Sequence, residues 1–297
     1  MLAKLCNVSQ GTVDRALHDR GGIHPETKER ILAAAKEYGY SPNLHAQSLV
    51  SGKNRIVGMV VFDLYNDYFS EIIMHLESAL FSAGLFPVVM FSDKNKAQEI
   101  DCIKTLFEAG ADGLILCPVN GGTVFGNFLQ ELGIPVVTIG NQVPGIPYVG
   151  VDNFEAMKEL TLYRISKGIR ELLYYAPVLD RKNENCSAQS LRFDGFQAAC
   201  NQTGIPFSRI TEIPDSLSPN TGIIASTDHY ALRLIFSGIS PQQVSGFDHI
   251  RAIETYRIPL VTVDSHSQKT AETVLSFFTG KAKPKDILIP HTLIKPK

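Results

Sequence analysis

The sequence predicts an α/β protein in which a small all-helical head precedes a larger, doubly wound body. Three observations carry this. From Arg55 onward, short apolar runs alternate with amphipathic helical stretches, and the runs are apolar on both faces, as strands of a parallel sheet covered on each side must be. The first 42 residues hold no such run, only short segments of helical period. With 297 residues, 44% of them hydrophobic, the chain is long for one domain and can bury a sizeable core.

In the head, Ser9 suits a helix start, because its hydroxyl can accept from the free amides of the first turn. Val13, Ala16 and Leu17 then share an inward face, leaving Gln10, Gly11, Asp14, Arg15 and His18 outward. A turn at Cys6-Asn7-Val8 and an apolar fragment (Leu2, Ala3, Leu5) precede this helix, which is the pattern of a helix-turn-helix reader. Taken alone, it equally fits a helical hairpin packed on a larger body. A third helix begins at Pro25-Glu26, with Pro suited to the first helical position and Glu to the positive end of the dipole. Its inward positions are Ile31, Ala34, Ala35 and Tyr38, and Gly39 ends it ahead of Pro42. Residues 43–50 are too short and polar for a stable isolated helix and read as a hinge that orders against a partner.

In the body the expected strands are 56–62, 86–91, 113–117, 135–139, 172–176, 222–226, 244–247 and 260–263. The expected helices are 68–83, 97–109, 123–132, 155–166, 190–203, 230–236 and 269–278. Some 240 residues exceed one five- or six-stranded sheet, so two subdomains are expected.

Charge is unevenly placed. Residues 1–55 hold eight Lys or Arg and five acids, a net of +3, so the remainder carries -5 of the overall -2. A modestly basic head on an acidic body suits a nucleic-acid contact confined to one end. Cys6, Cys102, Cys117, Cys186 and Cys200 are odd in number, without metal-ligand spacing, and read as buried thiols in a reducing compartment. Neither a signal-peptide core nor an 18-residue apolar span appears, so the expected location is the cytoplasm, with no membrane partner.

The runs VSQGTVDRAL, GIHPETKERILAAAKEYGYSPN, HAQSL and RIVGMVV resemble the DNA-binding head, hinge and first core strand of the LacI/GalR (lactose-repressor) family of bacterial transcription regulators. The resemblance is strong over residues 2–70 and recognisable at landmarks beyond. It implies a helix-turn-helix domain at 1–42, a hinge at 43–54, and an effector-binding and dimerisation core at 55–297 resembling periplasmic binding proteins. Two similar lobes would be joined by three crossings, near 151–152, 263–264 and 280–285. The N-lobe is then 55–151 and 265–280, and the C-lobe 152–263 and 285–297. The cleft between them receives the strand ends, where open parallel sheets bind ligands.

For the head, the resemblance assigns Gln10, Gly11 and Arg15 to base edges, Arg15 suiting guanine O6 and N7. Ser9, Thr12, His18 and Thr27 match phosphate-contacting positions, Asn43 is counted with the DNA contacts, and Leu49 matches the leucine that wedges into the minor groove. Asp14 departs from the family's small hydroxyl residue; it either accepts from a cytosine amine or orients Arg15. The family also begins its first helix several residues earlier, so the start is either internal or the head is weakened.

For the cleft, the stretch Phe62-Asp63-Leu64-Tyr65-Asn66-Asp67-Tyr68-Phe69 puts Asn66, Tyr68 and Phe69 directly after a strand. By resemblance the two aromatics stack on a ligand, with packing of Phe69 beneath its helix as the alternative. Arg192 matches the family's ligand arginine, the alternative being a surface pairing with Asp194. Asp248 corresponds to the ligand aspartate, whereas Asp228 either contacts ligand or caps the helix from Tyr230. Asp152 and Asn153 either touch ligand or bridge the hinge. The run Thr262-Val263-Asp264-Ser265-His266 is more acidic than the family pattern, and the loop 236–243 is shorter, so ligand identity does not transfer. An acidic, aromatic cleft favours a neutral sugar or polyol.

GxSxG, HExxH and phosphate-loop motifs are absent from the sequence, and Gly121-Gly122 lacks the Lys-Ser/Thr of a nucleotide site. The expectation is therefore not an enzyme, with no catalytic residue, metal or cofactor. It is a repressor binding a pseudo-palindromic double-stranded operator as a homodimer without a tetramerising coil, switched by a carbohydrate effector. The rival is a sugar receptor that has lost DNA reading.

Overall fold

The computed structural model describes residues 2–17, 20–38, 53–177 and 185–296. The roles expected of His18, Gly39, Asn43, Leu49 and most of the hinge fall on residues outside them. The chain separates into two compact units, 1–54 and 55–297.

The first unit holds α1 (Leu2–Leu5), α2 (Gln10–Leu17) and α3 (Pro25–Glu37). Ser9 starts α2 as expected, its Oγ accepting from the Thr12 amide at 3.1 Å. Leu2, Cys6, Val13, Ala16, Ile31 and Ala35 form one small core. Tyr38 does not join it; at 49% exposure it lies beyond the last turn of α3. The Arg30 guanidinium donates to the Cys6 carbonyl at 3.2 Å, tying α3 to the turn between α1 and α2.

The second unit is doubly wound in two halves. A parallel sheet of order β2-β1-β3-β4 joins β1 (Ile56–Val61), β2 (Phe86–Phe91), β3 (Gly113–Leu116) and β4 (Val136–Thr138). A Thr138–Tyr148 bridge extends it to β5 (Val149–Val151), which pairs in parallel with β11 (Ile287–Ile289). The other half has order β7-β6-β8-β9, from β6 (Glu171–Tyr175), β7 (Phe207–Ile210), β8 (Thr221–Ala225) and β9 (Val244–Ser245). Bridges at Ser245–Val261 and Asp248–Asp264 continue it to β10 (Thr262–Asp264), which pairs antiparallel with β12 (Thr292–Ile294).

Helices α4 (Asp67–Ser82), α5 (Lys96–Glu108), α6 (Gly122–Glu131) and α11 (Ser267–Phe278) belong to the first lobe; α7 (Asn153–Ser166), α8 (Ser187–Thr203), α9 (Asp228–Phe236) and α10 (Arg251–Thr255) belong to the second. The chain thus crosses between lobes after β5, after β10 and after β11. The last crossing falls at 290–291, later than the expected 280–285, because the three apolar residues Ile287–Ile289 reach back to Val149–Val151 before Pro290 turns the chain. Among the described residues, no helix is long and apolar enough to cross a membrane.

One contact sets up the cleft. Helices α7 and α8 pack so closely that a Cβ on Gly195 would lie 2.2 Å from the Phe154 carbonyl oxygen. Only glycine fits there, and the approach brings Arg192, one turn earlier on α8, against Asn153 at the start of α7.

Candidate functional site

On the head, Gln10, Gly11, Asp14 and Arg15 are exposed along one side of α2, opposite the buried Val13 and Ala16. Thr27 is half-buried on α3. The Ser9 and Thr12 hydroxyls bond one another at 2.8 Å. Asp14 pairs with Arg20 at 3.1 Å, both side chains being about half exposed or more. Sequence reasoning offered a cytosine contact or orientation of Arg15 and missed this partner, which sits beyond the helix end.

The body carries a cavity of about 200 Å³ between its lobes, at the carboxyl ends of the strands. One wall comes from the β1–α4 turn. Asn66 caps α4, its Oδ1 accepting from the Tyr68 amide at 3.1 Å, which turns Tyr68 and Phe69 onto the wall. Phe69 stands edge-on to Phe62 at 4.5 Å and to Tyr68 at 5.1 Å. Both aromatics line the cavity, so Phe69 is not confined beneath its helix. Burial pushes the Tyr68 hydroxyl well above its ordinary pKa, with Asp248 adding to the effect. Asp63, also on this wall, forms an ion pair with Lys94, whose ammonium lies 5.7 Å from the centroid of the Phe62 ring.

The facing wall is organised by Arg192, which is 6% exposed. Its Nε donates to Asn153 Oδ1 at 2.8 Å, Nη1 to the Ser226 carbonyl at 2.7 Å, and Nη2 to Asp248 Oδ1 at 3.0 Å. Its guanidinium lies on the Phe247 ring, 3.7 Å from the centroid. The partner is thus Asp248, not Asp194. One planar fork bridges the start of α7, the end of β8 and the loop after β9, and keeps N–H groups beyond these three bonds. Burial pushes the Asp248 carboxyl up to about 6, the adjacent guanidinium opposing the rise.

Asp228 corrects an expectation. It is fully buried and is not on the cavity wall; nor does it cap its helix, because Thr227 does, its Oγ1 accepting from the Tyr230 amide at 3.3 Å. Its oxygens accept instead from Thr262 Oγ1 at 2.6 Å and the Ile250 amide at 3.0 Å. Burial pushes it up to about 7, these bonds opposing. Thr227, its neighbour, lines the cavity.

The lobes also touch beside the cavity. Asn141, after β4, donates to the Asn185 carbonyl at 2.7 Å and accepts from the Ala188 amide at 3.2 Å; Asn185 donates to the carbonyls of Asn120 and Gln142 at 3.0 and 2.8 Å. The loop they meet is fixed by buried Glu99, which accepts from the Val119 and Asn120 amides at 2.7 and 2.8 Å. Elsewhere Glu71 of α4 accepts from the Arg251 amide at the start of α10, at 2.7 Å. Asn141 was findable as an amide at a strand end; Lys94 and Asn185 carried no local signal. Cys186, expected buried, is half-buried on the cavity wall. Among the described residues, no cluster of His, Cys, Asp or Glu is grouped to hold a metal.

A helix-turn-helix head and a bilobal α/β body with a cavity between the lobes define a ligand-binding regulator. The family model for bacterial regulatory proteins of the lacI family matches residues 2–43, and that for periplasmic binding proteins and the sugar-binding domain of the LacI family matches 54–218. The chain belongs to the LacI family of DNA-binding transcription regulators. It is 26% identical to the sucrose operon repressor of Streptococcus mutans, over 99% of this chain and 96% of that one. It is 28% identical to catabolite control protein A of Staphylococcus xylosus, over 99% and 94%. Its fold is similar to that of the lac repressor dimer bound to operator and the anti-inducer ONPF, with a TM-score of 0.80, 19% identity, and coverage of 100% and 97%.

Proposed function

We propose that this protein is a repressor whose affinity for a two-fold DNA operator is switched by a small neutral sugar or polyol in the interlobe cleft. The observation that carries the ligand half is the Arg192 fork, buried and bonded to three elements of one lobe, facing Tyr68 and Phe69 of the other. Aromatic faces suit the apolar face of a sugar ring, while Asn153, Thr227, Arg192 and Asp248 offer donors and acceptors for hydroxyls. The wall's charges are matched, Asp63 with Lys94 and Asp248 with Arg192, which favours a neutral ligand over a phosphate or carboxylate. The name of the Streptococcus mutans relative points the same way.

For the DNA half, the exposed Gln10, Gly11 and Arg15 are the base-reading positions, Arg15 toward a guanine, while Ser9, Thr12 and Thr27 contact phosphates and set register. Palindromic operators call for two-fold pairs of such heads. A face suited to pairing exists on the first lobe, where Met74 and Phe81 of α4 and Val88 and Phe91 of edge strand β2 are exposed. The protein acts in the cytoplasm and binds its effector without turning it over. A ligand that favours one arrangement of the lobes shifts the population competent for operator, to the extent of its differential affinity.

The test is fluorescence-anisotropy titration of promoter fragments from the gene's own neighbourhood, with and without sucrose, maltose, cellobiose, D-glucose and D-fructose. Saturable, salt-dependent DNA binding altered at least tenfold by one of these sugars supports the reading. Sugar binding with no duplex bound at low salt would make the protein a receptor that has lost DNA reading.

A further inference from the structure

The strand-end loop 247–250 carries Asp248, and its backbone is unusual. Asp248 and His249 have φ of +112° and +53°, two consecutive side-chain-bearing residues in a region that favours glycine. Such a turn persists only where its surroundings over-determine it. Arg192 holds the Asp248 carboxylate and Glu254 faces the His249 ring, but one residue, Asp228, is tied to both ends of the turn. The Asp228 amide donates to the Phe247 carbonyl at 2.7 Å, and its Oδ2 accepts from the Ile250 amide at 3.0 Å, so a single aspartate brackets the turn on both sides. Its other oxygen accepts from Thr262 Oγ1 at 2.6 Å, anchoring the loop to β10. The Asp248 amide donates to Val263 of that same strand at 2.8 Å.

Two details separate this from ordinary helix capping. Thr227 already supplies the cap, leaving the Asp228 oxygens for the loop and for β10. Gly246 makes room for it, since a Cβ there would lie 2.0 Å from Asp228 Oδ1. We infer that Asp228 is the positioning residue of the cleft, holding the left-handed turn that presents the Asp248 carboxylate to Arg192 and to ligand without touching ligand itself. This rests on the proposed reading that Asp248 faces a sugar.

The test uses the full-length protein and three variants. Asp228→Asn keeps an oxygen for the Ile250 amide and gains an NH₂ that Thr262 Oγ1 can accept. Asp228→Ala removes both bonds, and Gly246→Ala drives a methyl into the space of Oδ1. Amide hydrogen exchange at residues 247–250 of the sugar-free protein reads the turn, and calorimetry with the tightest sugar of the panel above reads the site. Exchange at Ile250 at least tenfold faster and sugar affinity at least tenfold weaker in Asp228→Ala and Gly246→Ala, with Asp228→Asn no more than threefold worse than wild type on either, supports the inference. Unchanged exchange in Asp228→Ala, or equal losses in Asp228→Asn and Asp228→Ala, overturns it. Should Asp228→Ala not fold, Gly246→Ala read against Asp228→Asn decides on the same criteria. Exchange needs no sugar, so failure of the whole panel counts against the proposed function and leaves the exchange result to judge Asp228.

Discussion

Replacing Arg192 by methionine is expected to destabilise the fold as well as the site. The guanidinium is 6% exposed, and removing it orphans Asn153 Oδ1, the Ser226 carbonyl and the Asp248 carboxylate together. Breaking a buried ion pair by deleting one partner costs about 3 to 5 kcal/mol, because the remaining charge stays buried without compensation. Methionine retains much of the contact with Phe247, so packing loss adds little. The deficit depends on pH. Asp248 already sits up to about 6 with the guanidinium opposing its rise; without that cation it climbs further. Below the new value it protonates and the buried charge disappears, so the deficit is largest near pH 8 and shrinks toward pH 5. Urea denaturation at both pH values measures it, with Arg192→Met/Asp248→Asn expected to recover part of the loss at pH 8. A variant as stable as wild type at pH 8, or a deficit independent of pH, would refute the view of Arg192 as a charge-bearing keystone.

Two further outcomes are expected, one on the head and one in the body. Arg15→Ala is expected to relax one base preference at a cost of about 1 to 3 kcal/mol in operator affinity, with half-site selection measuring it and unchanged selectivity counting against base contact. Asp228, pushed up to about 7 in the folded protein from an ordinary 3.8, binds its proton more tightly folded than unfolded. Its contribution is therefore most favourable below about pH 4 and is lost as pH rises toward 7. Asp228→Asn should accordingly gain on wild type as pH rises from about 4 to 8, by up to ~4 kcal/mol over that whole range at about 1.4 kcal/mol per tenfold in proton affinity. Parallel stability curves for the two proteins would contradict this.

Long, periodic elements were legible in the sequence. The inward set Val13 and Ala16, the six-residue run Phe86–Phe91 and the amphipathic α4 announce themselves, because burial imposes a period. Strands β5, β11 and β12, of three residues each, did not; too short for a period, they exist because of the partners they meet, more than a hundred residues away for β5 and β11. That gap also displaced the third crossing. In the site, Tyr68, Phe69, Arg192 and Asp248 were named from a resemblance, and all four line one cavity. Asp228 is ambiguous in the sequence because an acid between a strand end and a helix looks the same locally whether it faces ligand or a buried loop. The deciding groups, Ile250 and Thr262, are remote in sequence. Lys94 and Asn185 escaped for the same reason, being defined by what faces them.

Occupancy of the cleft is proposed to set the grip on DNA. The most direct measurement is operator affinity, with and without the tightest sugar, for wild type and Asp248→Asn side by side. Wild type is expected to show a sugar-dependent change of at least tenfold, and Asp248→Asn an unchanged sugar-free affinity with the response abolished. A wild-type affinity indifferent to a sugar that demonstrably binds, or a full response in Asp248→Asn, would contradict it.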